Sequence, residues 1–312
     1  MTAGGPAPPD PMSLILFSLW PLFALIVAGF VLNRRGFPGQ GFWPGAERFN
    51  YFVLFPALLF NSLAVAPLNS ASLPRLAATV LVTLSVCMGG LLLARRLRPW
   101  PVARWGVLVQ GTLRFNTYMG LAAISALHGP AGLQIAAVVI AVLVPAVNVL
   151  SVLAFMTRGQ TRARALILPV IRNPLILACV AGALFNMAGL EMKWGSERLL
   201  GLLAATSLPL GLLCVGAGLN PSELKGQMGS MCSNAAVRLL AVPAAAWLCA
   251  RLLQLPATEA AVLVLIFALP TAPAAYVLTR QMAGDSHLMA GIITLQTAAS
   301  ALTLPLALLA LR

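Results

Sequence analysis

The chain has 312 residues, of which 60% are hydrophobic and only 9% charged, whereas soluble domains carry about 25% charged residues. Its 20 basic residues outnumber its 7 acidic ones, but they lie in short clusters between apolar runs. That is the positive-inside pattern of membrane proteins and not the basic surface of a nucleic-acid-binding protein. These numbers exclude a soluble globular protein and predict an all-α, polytopic membrane protein.

Ten apolar stretches of about 20 residues follow in chain order, each long enough to span a bilayer. They cover residues 13–33, 46–64, 74–94, 104–128, 131–155, 173–189, 196–219, 233–254, 258–283 and 287–311. Residues 1–12 lack the features of a signal peptide and are predicted to be a disordered tail. Residues 156–172 form a short basic linker. Because most basic residues are cytoplasmic when the N-terminus lies outside, we predict that both termini are outside.

A sequence repeat relates the two halves of the chain. The segments PLFALIVAGFVLN (21–33) and PLILACVAGALFN (174–186) agree at six of thirteen positions without a gap, 153 residues apart. Pro56 in span two and Pro209 in span seven keep the same separation. We therefore predict two repeats of five spans, and because five is odd, the second is inverted, as in many secondary transporters. The predicted repeats cover residues 13–155 and 173–312.

Two of the predicted spans are interrupted near the middle. The polar segment RFN (114–116) interrupts span four, and Pro270 and Pro273 interrupt span nine, about 153 residues later. Unwound backbone at this depth must be buried in protein or line a polar cavity. We therefore predict that the broken fourth and ninth helices cross. Two half-helix N-termini would then point at the same place and form an anion site.

The residues at the breaks are candidates for binding and for movement. Asn116 can cap the second half-helix, bind substrate, or do both. Arg114 has no acidic partner deep in any span, so it bonds helix carbonyls, reaches water or meets an anionic ligand. Arg238 is predicted to snorkel at the interface. The candidate substrate-binding residues are Arg114, Asn116, Thr117, Tyr118, Thr271, Asn61, Asn148 and Gln296, and the candidate hinge residues are Gly120, Pro56, Pro209, Pro270 and Pro273.

The mid-span amides Asn61, Asn148 and Gln296 either bond neighbouring helices or line the cavity. No acidic residue lies at mid-depth, so proton coupling through a carboxylate is not expected. Export of an anion driven by the membrane potential fits better, since one charge gains about 2.3 kcal/mol per 100 mV. The chain has no metalloprotease or hydrolase motif, and its five scattered cysteines form no metal-binding pattern. We therefore expect neither an enzyme nor a metal or cofactor.

Four segments together resemble the auxin efflux carrier family, which includes plant auxin exporters and bacterial malonate and malate permeases. They are RFNTYMGLA (114–122), FVLFPALLFNSLA (52–64), LPLGLLCVGAGL (208–219) and ALPTAPAAYVLTRQMAGD (268–285). The resemblance implies ten helices in two inverted repeats, the fold shared with bile-acid sodium symporters. It implies an elevator-like core that moves against a scaffold, organic anion substrates, and dimers formed through the scaffold. The family's span-four asparagine falls on Asn116, and its proline-rich break falls on Pro270 and Pro273.

The chain departs from the plant exporters in one respect. They carry a long cytoplasmic loop between the halves, whereas residues 156–172 are short, so the specificity for an aromatic ring does not carry over. The short form is typical of bacteria and predicts a location in the inner membrane. We therefore predict an exporter of small organic carboxylates. A sodium-coupled anion symporter and a membrane sensor without transport activity are the alternatives.

Overall fold

The computed structural model describes residues 11–39, 41–66, 72–156, 168 and 171–310. Most of the predicted tail and most of the basic linker lie outside these residues. The described part contains helices and turns without any strand. Thirteen α-helices are α1 Pro11–Arg34, α2 Phe42–Phe49, α3 Phe55–Ala64, α4 Leu73–Leu97, α5 Val102–Leu113, α6 Thr117–Phe155, α7 Pro174–Met187, α8 Ser196–Ala217, α9 Met228–Ala236, α10 Val242–Leu252, α11 Ala257–Ala268, α12 Ala274–Gln281 and α13 Ser286–Ala310.

The helical segments are apolar on their outer surface. Within the described residues, six segments are long and apolar enough to cross a membrane: Ile15–Arg34, Leu73–Leu97, Val102–Phe155, Ser196–Ala217, Met228–Leu252 and Ser286–Leu309. Large apolar side chains point away from the protein, among them Phe17 with 71% and Leu302 with 73% of its surface exposed. Such a surface is unfavourable in water and favourable in a lipid bilayer. The fold is therefore that of a polytopic membrane protein.

Several helices change geometry at proline or glycine. The π-helical turn Asn50–Leu54 joins α2 to α3 just before Pro56, and a second π-helical turn precedes Pro243. A wider turn accommodates proline, which lacks an N–H group. Pro209, in contrast, lies inside the continuous helix α8. Gly129 interrupts α6 with φ 60° and ψ −153°, a conformation open to glycine, and separates predicted spans four and five.

Two helix pairs pack with their backbones in close contact through glycine. A Cβ atom on Gly29 of α1 would lie 2.0 Å from the carbonyl oxygen of Leu213 in α8. A Cβ atom on Gly182 of α7 would lie 2.8 Å from the carbonyl oxygen of Phe60 in α3. Gly182 follows Gly29 by 153 residues, and Leu213 follows Phe60 by 153 residues. The two contacts therefore pair equivalent positions of the sequence repeat.

A pair of asparagines repeats this relationship. Asn33, at the end of α1, donates from Nδ2 to the carbonyl oxygen of Ala217 at 2.8 Å. Asn186, at the end of α7, donates from Nδ2 to the carbonyl oxygen of Ala64 at 2.9 Å. The donors are 153 residues apart, and so are the acceptors. Each asparagine satisfies a carbonyl at the end of a neighbouring helix, where no intrahelical partner exists.

We expect the variants Gly29→Ala and Gly216→Ala to be markedly less stable than the wild-type protein. A Cβ atom at position 216 would lie 1.8 Å from the carbonyl oxygen of Ile26, and a backbone atom cannot move aside as a side chain does. Overpacking of this kind costs about 1–3 kcal/mol or more. Thermal unfolding of the purified variants measures the effect. Gly89→Ala in α4 is the matched control, because nothing lies within 4 Å of its added methyl group; an equal loss there would contradict the prediction.

Candidate functional site

Two helix breaks lie in direct contact at the centre of the protein. After α5 the backbone is extended at Arg114 (φ −72°, ψ 148°), and after α11 it is extended in the same way at Leu269 (φ −71°, ψ 150°). The backbone N–H of Asn116 donates to the carbonyl oxygen of Pro270 at 2.8 Å. The helices resume at Thr117 and Ala274. The two interruptions predicted from the sequence thus touch each other.

Arg238 joins the C-terminal ends of the two first half-helices. It is only 1% exposed and donates from Nε to the carbonyl oxygen of Leu269 at 2.7 Å and from Nη1 to that of Thr112 at 2.8 Å. Carbonyls at a helix C-terminus lack intrahelical donors and carry partial negative charge. The guanidinium group therefore stabilises both breaks at once. The prediction that Arg238 snorkels at the interface was wrong, because its acceptors come from two other segments of the chain.

Gln296 and Thr271 complete a buried polar frame around the breaks. The Gln296 amide donates from Nε2 to the carbonyl oxygen of Gly111 at 2.9 Å and accepts from the backbone N–H of Thr271 at 2.9 Å. The Thr271 hydroxyl also donates to the carbonyl oxygen of Gly111, at 2.7 Å. Both side chains are fully buried. In this conformation they bond one broken helix to the other and do not line a cavity.

The Asn116 side chain has one atom that forms a hydrogen bond and one that forms none with the described residues. Its Oδ1 accepts a hydrogen bond from the backbone N–H of Met119 at 3.2 Å and caps α6. Its Nδ2 is buried and has no acceptor among the described residues. Gly120, four residues later in the chain, packs against the second break, since a Cβ atom there would lie 2.5 Å from Cδ1 of Leu269. The capping role is present in the structure, and the amide N–H group remains available for a second role.

A cavity of ≈ 90 Å³ lies beside the crossing. Its lining residues come from both breaks, from the later part of α6, from the π-helical turn after α2 and from the start of α7. They are Tyr51, Arg114, Phe115, Thr117, Val144, Val147, Asn148, Asn173, Leu175, Ala272 and Ala274. Three of the predicted binding residues, Arg114, Thr117 and Asn148, are thus brought together. No lining residue is acidic.

The cavity is electropositive. Thr117 is the first residue of α6 and Ala274 the first of α12, so two helix N-termini with partial positive charge open onto it. The Arg114 guanidinium group lines the same space. No described residue accepts a hydrogen bond from its side chain. A cationic group and two helix N-termini without an acidic neighbour are suited to bind an anion.

The predicted binding residues and the residues that line the cavity are not the same set. Asn61 lies on α3 and outside the lining, and the Tyr118 ring instead packs against Phe55 with centroids 4.9 Å apart. Asn173 and Tyr51 line the cavity but were not predicted. Asn173 caps α7 and accepts from the Leu175 N–H at 2.9 Å. An asparagine before a proline is a helix-start signal that sequence reasoning could have used.

Comparison with known proteins identifies the family. A model of the membrane transport protein family matches residues 14–308 and therefore includes both helix breaks. The chain is 25% identical over 287 residues to an uncharacterized transporter of Methanothermobacter thermautotrophicus. The alignment covers 91% of this chain and 94% of that protein. The family match confirms the resemblance to auxin efflux carriers. The chain belongs to the membrane transport protein family and is a multi-pass membrane transporter, not an enzyme.

Proposed function

We propose that the protein is a secondary transporter of small organic carboxylates, which bind at the crossing of the two broken helices. The observation that carries this proposal is that Arg114 lines the cavity beside two helix N-termini, while no described residue accepts a hydrogen bond from its side chain. A carboxylate fits a guanidinium group in a bidentate manner and also accepts from free backbone N–H groups.

The size of the cavity favours a short substrate. The cavity of ≈ 90 Å³ can hold several water molecules. That volume suits a small carboxylate. Thr117 and Asn148 supply hydroxyl and amide groups in the same lining. They would position the substrate beside Arg114, and the nearby Asn116 Nδ2 would serve as a further donor.

We propose that the fold consists of ten spans in two inverted repeats, residues 13–155 and 173–312, with both termini outside. The contacts of Gly29 and Gly182 and those of Asn33 and Asn186 support the repeat, because each pair keeps the 153-residue separation. The matched backbone after α5 and α11 supports it further.

Transport would occur by an elevator-type movement. The close pairs α1–α8 and α3–α7 would form the scaffold, and the broken helices would belong to the moving core. The cavity would then lie between these units, since Tyr51 and Asn173 come from the proposed scaffold and Arg114 and Ala272 come from the proposed core. Candidate hinges are Pro56, Pro209, Gly120 and the two prolines of the second break. We further propose a homodimer formed through the scaffold in the inner membrane of a bacterium.

The direction of transport follows from charge. The negative interior of a cell drives an anion outward by about 2.3 kcal/mol per charge per 100 mV. The cavity lining carries no carboxylate that could bind sodium or titrate. We therefore favour export without ion coupling over a sodium-coupled symporter on the same fold.

Flux measurements in liposomes test this function. We expect the purified protein to exchange radiolabelled malonate or acetate, to respond to an imposed membrane potential, and to work equally well in sodium and choline salts. Dependence on sodium would instead favour the symporter. Binding without flux would favour a sensor, and the absence of both binding and flux for every carboxylate would contradict the proposal.

A further inference from the structure

A second polar cavity lies where α4 ends and α5 and α9 begin. Its volume is ≈ 690 Å³. We call it the basic pocket; its lining includes Arg98, Trp100, Arg104, Gln227, Ser230 and Ser233. The two arginines make its charge positive, and no lining residue is acidic. The transport cavity uses none of these residues.

The basic pocket presents hydrogen-bond donors that the protein does not use. Arg104 donates from Nη2 to the Ser230 hydroxyl, but its buried Nε has no acceptor among the described residues. The Arg98 side chain is exposed and likewise has no acceptor in the described part of the chain. Met228 begins α9, and the first N–H groups of a helix have no intrahelical partner. Two guanidinium groups beside free N–H groups match the oxygens of a phosphate group.

The surroundings of the pocket place it at the edge of the bilayer. Trp100 stacks on Trp105 with ring centroids 6.3 Å apart, and tryptophan is enriched at the level of lipid headgroups. Leu97, which precedes Arg98, is 79% exposed, and Met228, which lines the pocket, is 47% exposed. An acyl chain could pack on these apolar side chains while its headgroup reached the arginines. Basic pockets at helix ends bind anionic lipid headgroups in this way.

We propose that the basic pocket binds a phosphate group, supplied by the headgroup of an anionic phospholipid. The lipid connects Arg98, which follows the end of α4, and Arg104 on α5 with the start of α9. Neither arginine lines the cavity at the crossing, so this binding is separate from substrate recognition. A free phosphate compound carries the same chemical group and is the other source that the experiment must distinguish.

Thermal unfolding in nanodiscs of defined composition tests the proposal. We expect phosphatidylglycerol, mixed into phosphatidylcholine discs, to raise the unfolding temperature of the wild-type protein by several degrees. Arg98→Gln should lose most of this increase, and Ser233→Asp should also lose it, because it repels phosphate while keeping both arginines. Arg96→Gln is the matched control: it removes the same charge two residues before Arg98, and Arg96 is exposed and outside the pocket.

Inorganic phosphate, added to discs of phosphatidylcholine alone, separates the two sources. Stabilisation by phosphatidylglycerol but not by phosphate, lost in Arg98→Gln, supports the lipid. Stabilisation by phosphate alone would overturn the lipid assignment. An equal loss in Arg96→Gln and Arg98→Gln would show a general effect of surface charge and overturn the site, as would the lack of any stabilisation.

Discussion

The variant Asn116→Ser is expected to lose transport while it unfolds at nearly the wild-type temperature. Serine caps a helix about as well as asparagine, so the bond from the Met119 N–H to residue 116 can be kept. The substitution removes the Nδ2 donor, which has no acceptor among the described residues. A hydrogen bond to a charged partner contributes about 1.5–3 kcal/mol, which corresponds to roughly 10–100-fold in affinity.

The variant Asn116→Ala provides the matched comparison. It removes both the cap and the donor, so it should lose transport to the same degree and also lose about 0.5–2 kcal/mol of stability. Carboxylate flux in liposomes and thermal unfolding are measured on the same preparations. If Asn116→Ser transports as well as the wild-type protein, the residue serves only as a cap and must be removed from the substrate site.

Arg238 and Arg114 should respond in opposite ways to the same substitution. We expect Arg238→Gln to destabilise the protein severely, because the carbonyl groups of Thr112 and Leu269 would lose their donors. Each buried polar group left without a partner costs about 1–3 kcal/mol. Arg114→Gln should leave the unfolding temperature nearly unchanged, since no described residue accepts from its side chain. It should instead weaken carboxylate binding by roughly 10–100-fold, the loss of a charged hydrogen bond.

Measuring unfolding temperature and carboxylate affinity on both variants separates the two roles. A milder Arg238→Lys substitution guards against complete misfolding, because it keeps the positive charge and N–H donors. If Arg114→Gln unfolds as early as Arg238→Gln, then Arg114 is also part of the frame. If carboxylate affinity is unchanged in folded Arg114→Gln, the anion site lies elsewhere.

The positions of the breaks could be predicted from the sequence because their signals are local. Two prolines three residues apart cannot continue a helix, and an arginine beside an asparagine is costly in an apolar span. The observed bounds agree closely: α5 ends at Leu113 and α12 begins at Ala274. The capping role of Asn116 was also open to local reasoning, since asparagine is a preferred N-cap.

The partners at the breaks could not be predicted, because they depend on contacts between distant segments. Arg238 lies 126 residues from Thr112 in the chain. In the sequence it resembles an arginine at the membrane interface, because its carbonyl partners come from distant segments. Gln296 likewise lies 185 residues from Gly111. Tyr51 lines the cavity from a π-helical turn, which has no clear sequence signal. Sequence reasoning found polar residues within the spans but not which of them face the cavity.

The anion site is tested most directly by measuring whether carboxylates stabilise the purified protein against unfolding. Thermal unfolding is followed with acetate, malonate, benzoate and the neutral analogue malonamide, for wild-type protein and Arg114→Gln in parallel. We expect one or more short carboxylates to raise the unfolding temperature of the wild-type protein, malonamide to have no effect, and Arg114→Gln to lose the response. No response to any carboxylate in a cooperatively unfolding protein, or an equal response in Arg114→Gln, would contradict an anion site at the crossing.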